Sequence, residues 1–447
     1  MSTRNLLSVF LLLCAGIGSA LRPQAQAPAT VFVGVNVIPM DRETVLRDQA
    51  VVIRDGTIAS IGPAGQAQIP SGAVRIEAAG KYLIPTLGEL HAHIPGGQAP
   101  DSVVERTLFL YAANGVGTIR GMLGDPRHLT YRDRVAKGGL FSPRIYTSGP
   151  SFSGKTAPTK ELAVEAVAAQ KAAGYDLLKI HPGVPRDAFD ALVAKANEVG
   201  LPFAGHVPAD VGLQRALEAK YRSIDHLDGY VEALAKNPSE SVTFGVNLMA
   251  QLDESKIPAL VQKTKEAGTW HVPTQILLEH WLDDVDPEAM ARWPEMKHVE
   301  PGLLAKWIGN KQGNLAKFPA ADRQKFLALR RRLIKALHDG GVPIALGSDA
   351  PQTWNVPGFS AHRELKTYVA SGLTPYQALK TGTANVAIYF GTQTTTGTIA
   401  QGRRADLVLL DANPLEDIGN TSRIAGVMLN GKWLSRAEID KRLAAGN

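Results

Sequence analysis

The sequence predicts an α/β fold, a (β/α)8 TIM barrel with a small β-sandwich domain formed from both terminal segments. Two observations predict it. Short apolar runs separated by turn residues occupy residues 28–84 and return at residues 395–447. Between them, residues 85–394 alternate short apolar strands with amphipathic helical stretches, the pattern of parallel βαβ units. A doubly wound open sheet is the alternative arrangement of such units.

The terminal domain is predicted from strands at both ends of the chain. Asp55-Gly56 separates VVIR from TIASI, which is a strong signal for a β-hairpin. Strand patterns reappear as ADLVLLDANP from Ala405 and IAGVMLNGKWLS from Ile424. The simplest interpretation is one sandwich built from both termini, with the barrel inserted between them.

The barrel is predicted from eight candidate strands in the central region. Catalytic residues of such barrels lie at the C-terminal ends of the strands. The candidate strands are LIPTLGELHAH, GVGTIRGM, RIYTSG, DLLKIH, PFAGHV, RSIDHL, WHVPT and PIALGSD.

The first 27 residues have the features of a signal peptide. Arg4 precedes an apolar run from Leu6 to Ala20, which is shorter than the roughly 20 residues a spanning helix needs. We therefore expect export and a periplasmic or secreted protein, with an uncleaved anchor as the alternative. Cys14 is the only cysteine, so the mature chain would contain neither disulfides nor thiolate ligands.

Charge and hydropathy exclude some classes of partner. Residues 1–27 hold two arginines and no acid, which leaves a net charge of +4 on the remaining chain. No block of Lys or Arg indicates nucleic-acid binding, and no further apolar run indicates a membrane span after cleavage. A small molecule or peptide is the expected partner, and a homo-oligomer is left open.

Metal-ligand residues lie at the ends of the predicted strands. His91 and His93 are two positions apart and therefore share one strand face. His206, His226 and Asp349 lie at the ends of three other predicted strands. A single His is usually structural, but ligand-type residues at several strand ends of one barrel indicate a divalent metal site, with zinc as the expected ion.

Lys179 lies in the apolar strand DLLKIH. A buried ammonium group must find a partner or lose its charge. An ion pair with a neighbouring acid is the structural explanation.

This order of residues resembles that of the amidohydrolase superfamily, and in particular its binuclear branch of imidazolonepropionase-like and prolidase-like proteins. KYLIPTLGELHAH resembles the family's entry into strand 1, and TGTANVAIYFG with TGTIAQGRRADLVLLDANPLEDI resembles its return to the β-domain. The resemblance implies a carbamylated Lys179 that bridges two divalent metals. It implies that His91 and His93 hold the first metal and that His206 and His226 hold the second. Asp349 would contact the first metal and the attacking water.

Two loops depart from the family pattern. Gly121 follows Arg120 where members commonly have an acidic residue, and the HAHIPGG loop replaces a more apolar continuation. Both loops border the predicted mouth of the barrel, so they bear on substrate identity rather than on the metal ligands.

Several further residues are candidates for substrate contact. Tyr230 lies four residues after His226, a spacing similar to that of the prolidase-like subset, and is a candidate catalytic residue with Asp349. His181 and His362 are candidates for substrate binding, with structural roles as alternatives. The segment 275–337 is either a lid or outer-helix packing.

The expected function is metal-dependent hydrolysis of an amide or peptide C–N bond in a dipeptide or N-acyl amino acid. The same site would also suit an esterase, lactonase or phosphoesterase, and a catalytically inactive binding barrel is a third possibility.

Overall fold

The computed structural model describes residues 28–445. The expected signal peptide, residues 1–27, lies outside the described residues. In the part of the chain that is described, no helix has the length and apolar character needed to cross a membrane.

The fold mixes strands and helices along the whole described chain. The strands are β1 (Thr30–Val37), β2 (Leu46–Arg54), β3 (Thr57–Pro63), β4 (Val74–Glu77), β5 (Tyr82–Pro85), β6 (Leu87–Ala92), β7 (Val116–Gly121), β8 (Arg144–Thr147), β9 (Leu178–Ile180), β10 (Phe203–Gly205), β11 (Ser223–Asp225), β12 (Trp270–Val272), β13 (Leu407–Leu410), β14 (Ile424–Leu429) and β15 (Lys432–Ser435). The α-helices are α1 (Asp101–Ala113), α2 (Pro126–Ala136), α3 (Lys160–Ala173), α4 (Arg186–Val199), α5 (Gly212–Glu218), α6 (Tyr230–Leu234), α7 (Ile257–Ala267), α8 (Gln275–Leu282), α9 (Pro287–Met290), α10 (Pro301–Lys317), α11 (Ala320–Asp339), α12 (Phe359–Ala370), α13 (Pro375–Gly382), α14 (Ala384–Tyr389) and α15 (Arg436–Ala444).

Strands from both ends of the chain form one eight-stranded sheet. Its order is β15-β14-β13-β5-β1-β2-β3, and β4 also pairs with β1. The hairpin predicted at Asp55-Gly56 is confirmed, because β2 and β3 are antiparallel and Arg54 pairs with Thr57. Both turn residues have positive φ, 49° and 72°, as this two-residue turn requires.

Strands from both terminal segments share one sheet, but the predicted two-layer sandwich is not confirmed. The strands share a single hydrogen-bonded sheet in which β1 contacts β4 through its first half and β5 through its second half. Register shifts at Phe32, Val35 and Val37 interrupt its pairing with β2. Such bulges bend a strand, which allows one strand to pair with two neighbours in succession.

Seven of the eight predicted central strands are confirmed. They form two parallel sheets, β6-β7-β8 and β12-β11-β10-β9. Isolated parallel bridges between Ser148 and Leu177 and between Phe152 and Ile180 connect the facing edges of these sheets. The first predicted strand is divided, because its first residues belong to β5 in the terminal sheet and the remainder is β6.

The prediction that PIALGSD forms a regular eighth strand was wrong. The segment makes isolated bridges instead, from Ile344 to His271 and from Ala350 to Ala92. Its backbone still bonds to both neighbouring strands, since Ala345 N donates to His271 O at 2.8 Å and Leu90 N donates to Leu346 O at 2.7 Å. Asp349 has φ 66°, and this left-handed residue interrupts the extended ladder.

Amphipathic helical stretches between the predicted strands are confirmed, and α3 and α4 are two of them. Helix α4 buries a stripe of apolar residues against the sheet, and Phe189 and Leu192 within it are fully buried. Both helices end at a glycine in the left-handed conformation, Gly174 and Gly200. The helices therefore cover the outer faces of the parallel strands, as the βαβ pattern requires.

Candidate metal centre

The first two candidate ligands come from β6 and the residue after it. All six residues of β6 are buried, and the alternation of the strand carries Glu89, His91 and His93 on one face. The backbone of this strand end is fixed by the irregular eighth segment. Asp349 N donates to His91 O at 2.8 Å, and His93 N donates to Ala350 O at 2.7 Å.

The remaining candidates lie at the corresponding ends of other strands. Lys179 is in β9, His206 directly follows β10, and His226 directly follows β11. His226 has φ 62° and Asp349 has φ 66°, which are uncommon values for residues other than glycine. Such backbone conformations cluster at functional sites, because the surroundings must impose them.

The side chains converge on a small volume. His91, His226 and Asp349 each offer a ligand atom, and these atoms all lie within 4.8 Å of one another. Asp349 Oδ1 is 2.6 Å from His93 Nε2 and 3.4 Å from His91 Nε2. The rings of His206 and His226 are 4.5 Å apart at their centres. Lys179 Nζ lies 3.4 Å from His91 Nε2.

Burial sets the protonation of this cluster. It lowers the pKa of Lys179 to about 8, against the opposing effect of Asp225 and Asp349. It also holds the pKa values of His91 and His226 well below their ordinary range, assisted by neighbouring cationic groups. The imidazoles are therefore neutral near pH 7 and retain a lone pair for coordination.

One buried imidazole nitrogen, His226 Nε2, indicates what kind of ligand the cluster binds. His226 Nδ1 lies 2.7 Å from Thr274 Oγ1, whereas His226 Nε2 is buried and has no hydrogen-bond partner among the described residues. A buried imidazole nitrogen without a partner is costly in a purely structural role. Neutral imidazoles beside a carboxylate and a lysine are suitable ligands for divalent metal ions, so the residues of this cluster fit a metal site.

Comparison with known proteins supports the same assignment. The family model described as the amidohydrolase family matches residues 82–434. The chain belongs to the amidohydrolase family. It is similar to ochratoxinase from Aspergillus niger, with 26% identity over 418 residues that cover 88% of this chain and 83% of the relative.

Two solved structures share the fold of this amidohydrolase. A structure named bottromycin amidohydrolase matches with a TM-score of 0.70 and 23% identity, covering 94% of this chain and 91% of the other. A Xaa-Pro dipeptidase with bound methionine in the active site matches with a TM-score of 0.65 and 20% identity, covering 91% of this chain and 100% of the other. The family match makes this protein a hydrolase acting on C–N bonds, and the family is generally binuclear and metal-dependent.

Sequence reasoning missed a buried ion pair behind His91. Arg120 Nη2 donates to both carboxylate oxygens of Asp225, at 3.1 and 3.0 Å, and Ser223 Oγ donates to Asp225 Oδ1 at 2.8 Å. Asp225 Oδ2 lies 2.8 Å from His91 Nδ1. Burial alone would raise the pKa of Asp225, but Arg120 and Lys179 outweigh it and hold the pKa below its ordinary value. The carboxylate thus stays charged beside the ring of His91.

A second buried carboxylate orients His206. Asp228 Oδ2 lies 2.7 Å from His206 Nδ1. Ser223 and Asp225 share a strand face, which was a usable signal for Asp225 in the sequence. Asp228 gave no such signal, because it follows the strand in a turn whose geometry depends on the left-handed His226 and Leu227.

Glu89 is a third buried acid behind the cluster. It accepts a hydrogen bond from Ser348 N at 3.1 Å and another from Ser348 Oγ, and burial raises its pKa to about 8. It therefore connects β6 to the segment that carries Asp349.

The predicted substrate residues have different surroundings. His181 lies beside the cluster, with its ring centre 5.1 Å from that of His206 and its Nδ1 3.3 Å from Ser151 Oγ. Burial lowers the pKa of His181 to about 3, with Lys179 and His206 adding to the effect, so this ring is neutral. Its role in substrate binding stays a prediction.

Tyr230 and His362 contact residues outside the ligand set. The fully buried Tyr230 hydroxyl bonds to Thr264 and lies 2.9 Å from His271 Nε2. His362 has both ring nitrogens engaged, at 3.0 Å each, with Thr421 Oγ1 and the carbonyl of Asn114. These contacts fit structural roles, and the predicted catalytic and substrate-binding roles remain untested.

The segment 275–337 is mainly helical and packs close to the cluster. It contains α8 to α11, and Arg330 of α11 donates to His226 O at 2.6 Å and to Pro273 O at 2.9 Å. Arg330 is fully buried, so this helix contributes to the backbone scaffold of the site. Trp293 and Trp307 contact other aromatic and cationic groups within the same segment or near α12.

Proposed function

We propose that this amidohydrolase hydrolyses the amide bond of a dipeptide or an N-acyl amino acid, with water as the nucleophile at a two-metal centre. The observation that carries the proposal is the convergence of His91, His226 and Asp349 ligand atoms within 4.8 Å. The unpartnered His226 Nε2 at this point supports a role in coordination.

The ligand assignment follows the strand order. His91 and His93 would hold one divalent ion, His206 and His226 would hold the other, and Lys179 as its carbamate would join them. Zinc is the expected metal, because imidazole and carboxylate oxygen are ligands it accepts. When bound, such ions polarise a carbonyl group and lower the pKa of water.

Asp349 is the proposed general base and acid. Its Oδ1 lies close to both histidines of the first candidate site, 2.6 Å from His93 Nε2 and 3.4 Å from His91 Nε2. The carboxylate would accept a proton from the attacking water and pass it to the departing amine nitrogen.

Replacing this carboxylate tests the assignment. Asp349→Asn keeps the size of the side chain and removes the base, so we expect turnover to fall by at least about 100-fold. Much of the bound metal should remain, as measured by elemental analysis of the same preparation. Turnover like that of the wild type would refute the assignment of Asp349.

The proposed function is tested by metal content together with substrate screening. We expect about two divalent ions per wild-type chain, sharply fewer in Lys179→Ala, and activity on a dipeptide and N-acyl amino acid library only in the wild type. Lys311→Ala is the matched control, since Lys311 is another buried lysine but bonds to Asp283 and His280 O in the helical segment. Turnover of esters with no turnover of matched amides would contradict the proposed bond class.

We also infer that β6 to β12 and the segment at residues 343–350 form one (β/α)8 barrel. The bridges between the two parallel sheets and the bonds of the eighth segment to both β6 and β12 support it. Export through residues 1–27 is likewise proposed, on the sequence pattern described above.

A further inference from the structure

An aromatic pair lies beside the metal centre. The ring of Phe244 is 6.1 Å from the ring of His226 and 6.2 Å from the ring of Trp281. Phe244 lies in the short 3-10 segment Thr243–Leu248 that follows α6, and Trp281 lies near the end of α8. Two elements that are distant in sequence therefore place aromatic rings on one side of the proposed ligand His226.

Trp281 offers an unused hydrogen-bond donor at this place. Its Nε1 is buried and has no hydrogen-bond partner among residues 28–445. An indole N–H can only donate, and leaving a buried donor unpaired is energetically costly. Neither the core packing of Trp281 nor the metal ligands account for this donor.

Helix α8 is fixed relative to the metal ligands. Glu364 accepts hydrogen bonds from the backbone nitrogens of Gln275 and Ile276, at 2.8 and 2.6 Å. Arg330 donates to Gln275 Oε1 at 2.9 Å and to the carbonyl of His226 at 2.6 Å. Since one side chain binds both His226 and Gln275, the first residue of α8, the start of the helix that carries Trp281 has a defined position relative to His226.

The backbone that carries Phe244 is also constrained. Thr243 has φ 49° and Phe244 has φ 61°, so two consecutive residues with side chains adopt the left-handed conformation. This conformation is unfavourable for residues that carry a Cβ atom. Backbone of this kind persists where the surrounding structure over-determines it, and it occurs frequently at ligand-binding sites.

We propose that Phe244 and Trp281 form a substrate subsite for an aromatic or large apolar group, in which Trp281 Nε1–H donates to an oxygen atom of the same substrate. The inference rests on the proposed function, because it assigns a substrate class to that centre. The preferred substrates are then N-acyl amino acids or dipeptides with an aromatic group next to a carbonyl or carboxylate oxygen.

Kinetics on paired substrates test the subsite. We expect the wild type to have a kcat/KM about tenfold or more higher for an N-benzoyl amino acid than for the N-acetyl analogue. Phe244→Leu should reduce this ratio several-fold, chiefly through KM for the benzoyl substrate. Trp281→Phe keeps a ring and removes the N–H, so it should raise KM for both substrates. Leu303→Ala, which alters an exposed apolar residue of α10, is the control.

An equilibrium measurement separates this inference from the proposed function. Titration of an aromatic carboxylate such as benzoate should quench the intrinsic fluorescence of the wild type, and the quench should be largely lost in Trp281→Phe. Binding without amide turnover would refute the proposed function and support the subsite. Amide turnover with no aromatic preference, and with equal effects of Phe244→Leu on both substrates, would overturn the subsite.

Discussion

At the scale of single residues, Asp225 combines complete burial with a charge and two charged or titratable neighbours. It is fully buried, pairs with the fully buried guanidinium of Arg120, and lies against the ring of His91. Removing one partner of a buried pair leaves the other charge without compensation. The side chain therefore contributes both to folding and to the orientation of a proposed metal ligand.

We expect Asp225→Asn to lower the free energy of unfolding by about 3–5 kcal/mol, because Arg120 would remain buried without a counter-charge. Urea denaturation measures this loss. Glu254→Gln is the matched control, since Glu254 pairs with Arg332 at the surface and such pairs contribute about 1 kcal/mol or less. Equal losses in the two variants would contradict the assigned role of the buried pair.

At the scale of elements, the approach of β10 to β9 depends on a residue without a side chain. Gly205 has φ 119°, and a Cβ atom there would lie 2.6 Å from the carbonyl oxygen of Ile180 and 2.8 Å from Cδ of Lys179. A methyl group would therefore displace the stem of the lysine that is proposed to carry the carbamate. The spacing of the two strands and the position of the lysine are thus linked.

Gly205→Ala should be clearly less stable than Gly200→Ala and should also bind less metal. Gly200 has φ 64° and no atom within 4 Å of the added Cβ, so its substitution costs only the conformational penalty of roughly 1–2 kcal/mol. Denaturant midpoints and elemental analysis of both variants provide the comparison. Similar stability and metal content in the two would show that the contact with Lys179 is unimportant.

The buried His362 of α12 predicts that the folded protein loses stability at low pH. Burial lowers the pKa of His362 to about 4, from 6.5 in an unfolded chain. The folded state disfavours the protonated His362 ring. The stabilisation that comes from the neutral ring is therefore fully present above pH 6.5 and is lost as the pH falls towards 4. The corresponding decrease in the free energy of unfolding is about 3 kcal/mol.

The test compares denaturation curves between pH 7 and pH 4 for the wild type and His362→Gln. Glutamine can still donate to the carbonyl of Asn114 but does not titrate, so the variant should lose less stability on acidification. His338→Gln, in the last turn of α11, serves as the control and should follow the wild type. A variant His362→Gln with the same acid dependence as the wild type would contradict the prediction.

The elements also show which features the sequence could predict. Strand alternation was sufficient to predict that His91 and His93 share a face, and helix periodicity was sufficient for α3 and α4. Asp225 was not predicted, because its partner Arg120 comes from a different strand, 105 positions away. The proximity of Phe244 to Trp281 depends on left-handed backbone at Thr243 and Phe244, for which neither residue type gives a signal.

At the scale of the whole molecule, the terminal sheet depends on both ends of the chain. Strand β13 lies between β5 and β14, and Leu407, Leu409 and Met428 are buried in one core with Leu83. Removing the last strands would therefore expose β13 as an edge and open this core to water.

A chain that ends at residue 423 lacks β14, β15 and α15, and we expect it to aggregate or to remain unfolded. A chain that ends at residue 435 lacks only α15 and keeps the sheet, so it should stay folded with reduced stability. Size-exclusion chromatography and circular dichroism distinguish the two shortened chains. A folded, monodisperse product from the shorter chain would show that β14 is dispensable.

Only Thr86 separates β5, which pairs with β13, from β6, which carries the candidate ligand His91 and is followed directly by His93. The pairing of Leu83 with Leu409 closes a loop of more than 300 residues. Contacts of such high sequence separation slow folding, because the entropy of loop closure must be met before the contact forms. During synthesis, β5 cannot pair with β13 until nearly the whole chain has left the ribosome, so the sheet that adjoins the strand of His91 is completed among the final steps.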